Sequence, residues 1–273
     1  MTASAALRIV QVGFATTVQD QGRSGLAHVG VPAAGAVDRR THDVMNRLVG
    51  NPHDAATIET MGALVVEALR PIVIASSTDA SRQTLSAGTR VRVDAPAGSV
   101  WAYLAVRGGI EVGSVLGSRS HDTLGGVGPP ALAVDSLVAV GPDPSTPLAA
   151  DHAPQRRADP ARVRIWDGPQ HDWFIGGTQS LVGRAWRITN ELSRVGVRLE
   201  TGEFARSTRS QPRMGSVGLT TGAVQITPAG EPIVMLANHP TTGGYPVIGV
   251  VDPDDLPDLV QTPPGSSVHF RRA

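Results

Sequence analysis

Cysteine is absent from this 273-residue chain, and so is lysine: all 24 basic residues are arginine. The first absence excludes disulfides, thiol catalysis and thiolate metal ligands, and fits a reducing compartment. The second excludes a P-loop lysine on phosphates, a Schiff base, and a lysine carrying covalent biotin. Aromatics are scarce at 4%. An excess of charge is missing too, since 24 acidic residues balance the arginines. That leaves no electrostatic case for nucleic acid or an anionic membrane. The opening MTASAAL has neither a charged start nor a long apolar core, and no apolar run is long enough to span a bilayer. The expected location is therefore the cytoplasm. Histidines never fall at HxH or HxxxH spacing, so no metal site is expected, and no nucleophile elbow occurs.

What the chain has in abundance is glycine (31) and proline (21). Together with few aromatics they favour many short strands and turns over long helices. Strand-like runs follow at short intervals: 7–12, 72–76, 90–94, 100–106, 137–140, 162–166, 184–189, 223–227, 233–237, 247–251 and 267–271. Three helices are expected. One follows Asp38, with an apolar face of Val37, Val44, Met45, Leu48 and Val49 and Gly50 past its end. A short one runs from Pro169 through Leu181, weakened by Gly176 and Gly177, and another spans Pro253–Val260. Residues 141–160 are rich in Pro, Ala, Asp and Arg and read as a linker. The expected class is mainly β, divided into units at 1–150 and 151–273.

The most distinctive stretch is 214–251, MGSVGLTTGAVQITPAGEPIVMLANHPTTGGYPVIGVV. Strand residues lead into a loop with paired threonines, paired glycines and a tyrosine before proline. Glycines there allow unusual backbone angles or the close approach of another group. Gln225, Thr241, Thr242, the Gly243-Gly244 backbone and Tyr245 could hold an amide-like, ureido-like or carboxylate ligand. Glutamine reads an amide in both directions, and exposed glycine N–H groups can stabilise an oxyanion. His239, beside this loop, is a further binding candidate, whereas His28, His42, His53, His121 and His171 read as solvated.

Four candidates lie earlier. Asp38 is either a helix N-cap or a ligand group. Asn46 sits off the apolar stripe and needs partners only if buried. Glu59, in a strand-like run, is either a binding carboxylate or one locked to an arginine. Arg119 either pairs with Asp122 across a turn or offers its planar fork to an anion. The glycine-rich Leu124–Gly128 segment has no helix pattern after it and is a weak phosphate loop.

The run 16–38, TTVQDQGRSGLAHVGVPAAGAVD, resembles the opening TTVQDxGRxGxxxxGVPxxGAxD of the allophanate hydrolase subunit 2 family. NRLVGN at 46–51, VRGGI at 106–110, VLGSRSHD at 115–122, SRVGVRL at 193–199 and the TTGGYP loop are similar to that family as well. Departures are Met45 for a small residue, Ser193 where an acidic residue is usual and Val197 where an aromatic is usual. The family includes the C subunit of 5-oxoprolinase, Kip-type antagonists of a kinase inhibitor, and half of the carboxyltransferase region of urea carboxylase. The resemblance implies two cyclophilin-like β-barrel units and a protein inactive alone. Its implied partners are an allophanate hydrolase subunit 1 protein, equivalent to the B subunit of 5-oxoprolinase, and a third, lactam-handling A subunit. The implied reaction is ATP-dependent conversion of 5-oxo-L-proline to L-glutamate, with ATP a requirement of the complex. The alternatives are carboxyl transfer to urea or another amide, with biotin on a different protein, and non-catalytic regulation.

Overall fold

A computed structural model describes residues 5–148, 150–154, 158–210 and 214–273. It divides into unit 1, Met1–Arg23 with Ala34–Arg156, and unit 2, Ser24–Ala33 with Arg157–Ala273. The ten-residue piece from Ser24 thus belongs to the second unit although its sequence neighbours on both sides belong to the first. Parts of the expected 141–160 linker, namely 149 and 155–157, lie outside the described residues.

Unit 1 is built from β1 (Ala5–Gln11), β2 (Thr17–Gln19), β3 (Thr57–Met61), β4 (Leu64–Ala68), β5 (Ile72–Ser76), β6 (Ser81–Leu85), β7 (Arg90–Val93), β8 (Trp101–Val106), β9 (Ile110–Glu111) and β10 (Leu137–Val140). They form two five-stranded sheets, β7-β4-β1-β10-β9 and β2-β3-β8-β5-β6. Alternation decides what each strand buries. Leu7, Ile9, Leu64, Val66, Val138 and Val140 from one sheet meet Val18, Ile58, Ile74, Leu104 and Val106 from the other in one apolar cluster. Strand β8 is buried along its whole length. Ala102, Leu104 and Val106 face that cluster, and helix α1 (Arg39–Leu48) packs on β8 as well.

Helix α1 begins where the sequence places it. The Asp38 carboxylate accepts the Thr41 N–H at 2.9 Å and the Thr41 hydroxyl at 2.6 Å, a cap worth about 1 kcal/mol. Gly50, with φ of 71°, takes the left-handed position after its end. The buried face differs from the expected one: it carries His42, Met45, Asn46 and Leu48, while Val44 is only half-buried. Val37, Met45, Leu48 and Val49 of the expected stripe are buried, and the polar His42 and Asn46 are buried with them.

Unit 2 is a closed seven-stranded barrel, β11-β18-β15-β16-β13-β12-β19, with a two-stranded β14-β17 ribbon beside it. The strands are β11 (Val163–Asp167), β12 (Ala185–Leu192), β13 (Gly196–Leu199), β14 (Val217–Gly218), β15 (Ala223–Ile226), β16 (Pro232–Met235), β17 (Thr242–Gly243), β18 (Val247–Val251) and β19 (Ser267–Arg272). Closure comes from the parallel pairing of β11 with β19, Val163 opposite Phe270. Helix α2 (Leu256–Val260) begins later than the 253–260 run suggests and ends where expected. The expected helix from Pro169 to Leu181 does not form. Two short 3-10 segments, His171–Trp173 and Gly177–Leu181, replace it, because Gly176 takes φ of 83° and breaks the right-handed path. The chain is mainly β, as its composition implies, and no helix of the described residues is long and apolar enough to cross a membrane.

Candidate functional site

The candidates of unit 1 are all tied into the fold. Glu59 lies on β3 directly opposite Tyr103 of β8, on the face turned away from the apolar cluster. Its Oε2 accepts the Tyr103 hydroxyl at 2.7 Å and the Val37 N–H at 2.9 Å. The Tyr103 oxygen in turn accepts the Asp38 N–H at 2.8 Å. Burial, followed by the Glu59 and Asp38 charges, pushes the Tyr103 phenol well above its ordinary range, so it stays a donor. Within this network a tyrosine, Tyr103, holds Glu59. Tyr103 was not singled out because WAYLAV reads only as an apolar strand.

Asn46 is fully buried and ties the end of α1 to the loop after it. Its side-chain amide donates to the Ala55 carbonyl at 2.8 Å, and its oxygen accepts from Asn51 at 3.0 Å. His42, read from sequence as solvated, is likewise fully buried, its ring edge-on to Tyr103 at 6.4 Å. Arg119 does not pair with Asp122. Its guanidinium reaches the Val112 carbonyl at 3.2 Å and Glu111 at 3.3 Å. Asp122 instead accepts the Leu124 and Gly125 N–H groups of its own loop, at 3.0 and 3.1 Å. Those two amides of the glycine-rich segment are consequently committed, and they do not form a phosphate cradle.

Unit 2 brings the remaining candidates together. Gln225 lies on β15, 3% exposed, on the face of Ala223 rather than that of Val224. Its side-chain N–H₂ donates to the Tyr245 carbonyl at 3.0 Å. A Cβ on Gly243 would stand 2.6 Å from Gln225 Nε2 and 2.8 Å from Leu219 Cδ1. Neither Gly243 nor Gly244 has a positive φ. Gly243 is thus required for space, not for backbone angle, and Gly244 borders open space.

The loop is clamped at both ends. At its start, Arg194 of the SRVGVRL run donates from Nε to Asn238 Oδ1 at 3.0 Å, and both residues are buried. At its end, Gln170 Oε1 accepts the Val247 N–H at 3.0 Å. In the middle, β17 pairs with β14, and the Leu219 N–H donates to the Thr241 carbonyl at 3.0 Å. The Thr241, Thr242 and Tyr245 hydroxyls between these clamps, and Gln225 Oε1 beside them, have no partner among the described residues. Tyr245 is 43% exposed. His239 is 7% exposed, and its Nδ1 lies 2.7 Å from the Pro240 carbonyl. Burial, only partly offset by that hydrogen bond, pushes its pKa down. Among the described residues no cluster of His, Asp or Glu is placed to hold a metal ion.

Unit 2 is thus a closed β-barrel carrying a polar loop held at both ends by side-chain hydrogen bonds. The family model for the carboxyltransferase domain, subdomain A and B, matches residues 29–272, and the chain belongs to that family. It is 33% identical over 282 residues to the C subunit of the 5-oxoprolinase of Escherichia coli, covering 97% of this chain and 90% of that protein. It is 27% identical over 318 residues to the urea amidolyase of Lachancea kluyveri, covering 97% of this chain and 17% of that protein. In fold it resembles the urea carboxylase of Kluyveromyces lactis, with a TM-score of 0.87 at 23% identity, over 100% of this chain and 28% of that one.

Proposed function

We propose that this chain is the C subunit of an ATP-dependent 5-oxoprolinase complex that converts 5-oxo-L-proline to L-glutamate. The observation that carries this reading is the nearly end-to-end match to the Escherichia coli protein, against less than a fifth of the length of the urea amidolyase. The chain acts with a B subunit and a lactam-handling A subunit, and is inactive alone. ATP enters as a requirement of the complex, and the glycine-rich Leu124–Gly128 segment, with its Leu124 and Gly125 amides committed to Asp122, is not its phosphate site. The ligand loop is Thr241, Thr242, Gly243, Gly244 and Tyr245 with Gln225 and His239. Its hydroxyls and the Gln225 Oε1 suit the uncharged lactam ring of 5-oxoproline. Asp38, Asn46, Glu59 and Arg119 shape unit 1 around their own hydrogen bonds and support the fold more than they contact ligand.

The family itself favours a second reading, transfer of a carboxyl group to an amide nitrogen. Biotin must then ride on another protein, since this chain lacks lysine. A cyclic ureido group presents the same C=O and N–H pair as a lactam, so the same loop serves. Co-purification with the A and B subunits, followed by an assay of ATP-dependent glutamate release from 5-oxoproline, tests the first reading. Release only when all three chains are present is expected. A stable complex without release, but with carboxylation of an amide by a carboxybiotin donor, would replace it with the second.

A further inference from the structure

The His239 ring is nine-tenths buried, yet only one of its nitrogens is used. Nδ1 is 2.7 Å from the Pro240 carbonyl. A carbonyl oxygen can only accept, so the proton resides on Nδ1. In the neutral ring the second nitrogen is then a bare acceptor. Burial favours that neutral form. Nε2 has no partner among the described residues and is not among the polar atoms sealed from solvent.

The hydroxyls around the loop are adaptable. Threonine and tyrosine hydroxyls rotate and serve as donor or acceptor, while Gln225, whose Nε2 donates to the Tyr245 carbonyl, leaves its Oε1 acceptor free. His239 Nε2 has no rotational freedom of that kind: the contact made by Nδ1 fixes it as acceptor. A lactam or cyclic urea presents a carbonyl and an adjacent N–H. Its carbonyl finds donors in hydroxyl or backbone N–H groups. Its N–H needs an acceptor, and a fixed acceptor is what allows a site to reject a molecule lacking that hydrogen.

We propose that His239 is a specificity-determining residue whose Nε2 accepts the N–H of the uncharged ring of a lactam or cyclic-urea ligand held by the Thr241–Tyr245 loop. The assignment rests on the ligand-loop reading above and adds to it the atom that recognises the N–H. No bond is made or broken at His239; the side chain sorts N–H-bearing rings from their oxygen counterparts.

The test compares 5-oxoproline with the γ-lactone in which a ring oxygen replaces the N–H, using calorimetry on the assembled complex. Wild-type protein should prefer the lactam by about tenfold or more, because an acceptor facing a ring oxygen loses its hydrogen bond and gains repulsion. In His239→Asn the shorter amide keeps a donor toward the Pro240 carbonyl but places nothing at Nε2. That variant should lose the preference without a change in melting temperature. His239→Gln, whose longer amide reaches the Nε2 position, should recover part of it.

A wild-type complex that binds 5-oxoproline and keeps its full lactam preference in His239→Asn overturns this inference and leaves the loop reading standing. Lactam binding that is also unchanged in Gln225→Ala overturns both. Should His239→Asn fail to fold, nitrogen-15 NMR of histidine-labelled wild-type complex decides. The Nδ1–H tautomer with an Nε2 resonance displaced by 5-oxoproline is expected. An Nε2 resonance unmoved at saturation overturns the assignment.

Discussion

Both units bury polar side chains, but they use them differently. In unit 1 the Glu59 carboxylate accepts two donors and the Asp38 carboxylate caps a helix, while the Asn46 amide joins that helix to the following loop. In unit 2 the buried Arg194–Asn238 pair and Gln170 hold the two ends of a loop, and the Thr241, Thr242 and Tyr245 hydroxyls between them make no bond to the described residues. Buried polar groups that are fully satisfied rigidify a fold. The Thr242 and Tyr245 hydroxyls, by contrast, face solvent and make no bond within the fold. Similar polar residue types are thus tied into the fold in one unit and left open to solvent in the other, and only their hydrogen-bond partners separate the two cases.

Substitutions can break or sharpen this contrast. The largest effect is expected at Glu59→Ala, which strands the Tyr103 hydroxyl and the Val37 N–H in a buried place. Denaturant unfolding should show a loss of about 3 kcal/mol. A loss under about 0.5 kcal/mol would mean that unit 1 does not depend on this network. Gln225→Ala should do the reverse. Turnover of the assembled complex should fall about a hundredfold, while stability falls by only about 1 kcal/mol for one hydrogen bond. Gly243→Ala sets a methyl against Gln225 and Leu219, at 2.6 and 2.8 Å. Overpacking of about 1 kcal/mol is expected, with a drop in turnover that follows the displaced amide.

A smaller effect concerns acid. The Arg164 guanidinium, hydrogen-bonded to Asp255 at 2.8 and 2.9 Å, holds that carboxyl below the 3.8 of a free aspartate. The folded state therefore binds its proton less readily than the unfolded state. The resulting stability is present above about pH 4 and is lost as pH falls through the lowered value. Asp255→Asn should cost about 1 kcal/mol at neutral pH and flatten the decline of stability below pH 4. An unchanged acid limb would remove Asp255 from unit 2's pH response. Last, Gly244→Ala should be silent within about 0.5 kcal/mol, since nothing lies within 4 Å of its added methyl. It serves as the control for Gly243.

How far the sequence carried depended on the range of each interaction. The cap at Asp38 and the left-handed Gly50 are local, and both are where residue type and spacing put them. Short apolar runs also became strands, because alternation is local information. Pairings across long separations were not visible. Tyr103 stands 44 residues from the carboxylate it holds. His42 is buried because α1 turns that face toward the sheet, a direction that its neighbours in sequence do not state. Asp122 looked like a partner for Arg119 by spacing alone, but its own backbone amides compete at shorter range. Gly243 shows a subtler case. The sequence marks it as a glycine that matters, while the reason, crowding by Gln225, exists only once β15 and the loop are side by side.

The Ser24–Ala33 piece has a further consequence. Because the first part of the gene encodes a fragment of the second unit, one crossover between related genes cannot exchange a whole unit. A chimera joined anywhere in 141–160 inherits unit 2 from both parents, and these ten residues must suit a barrel they did not evolve with. Natural variation in the two units should accordingly be inherited as one block. Engineers wishing to graft the 238–247 loop from a relative do better to move 214–251 alone than to swap the C-terminal half.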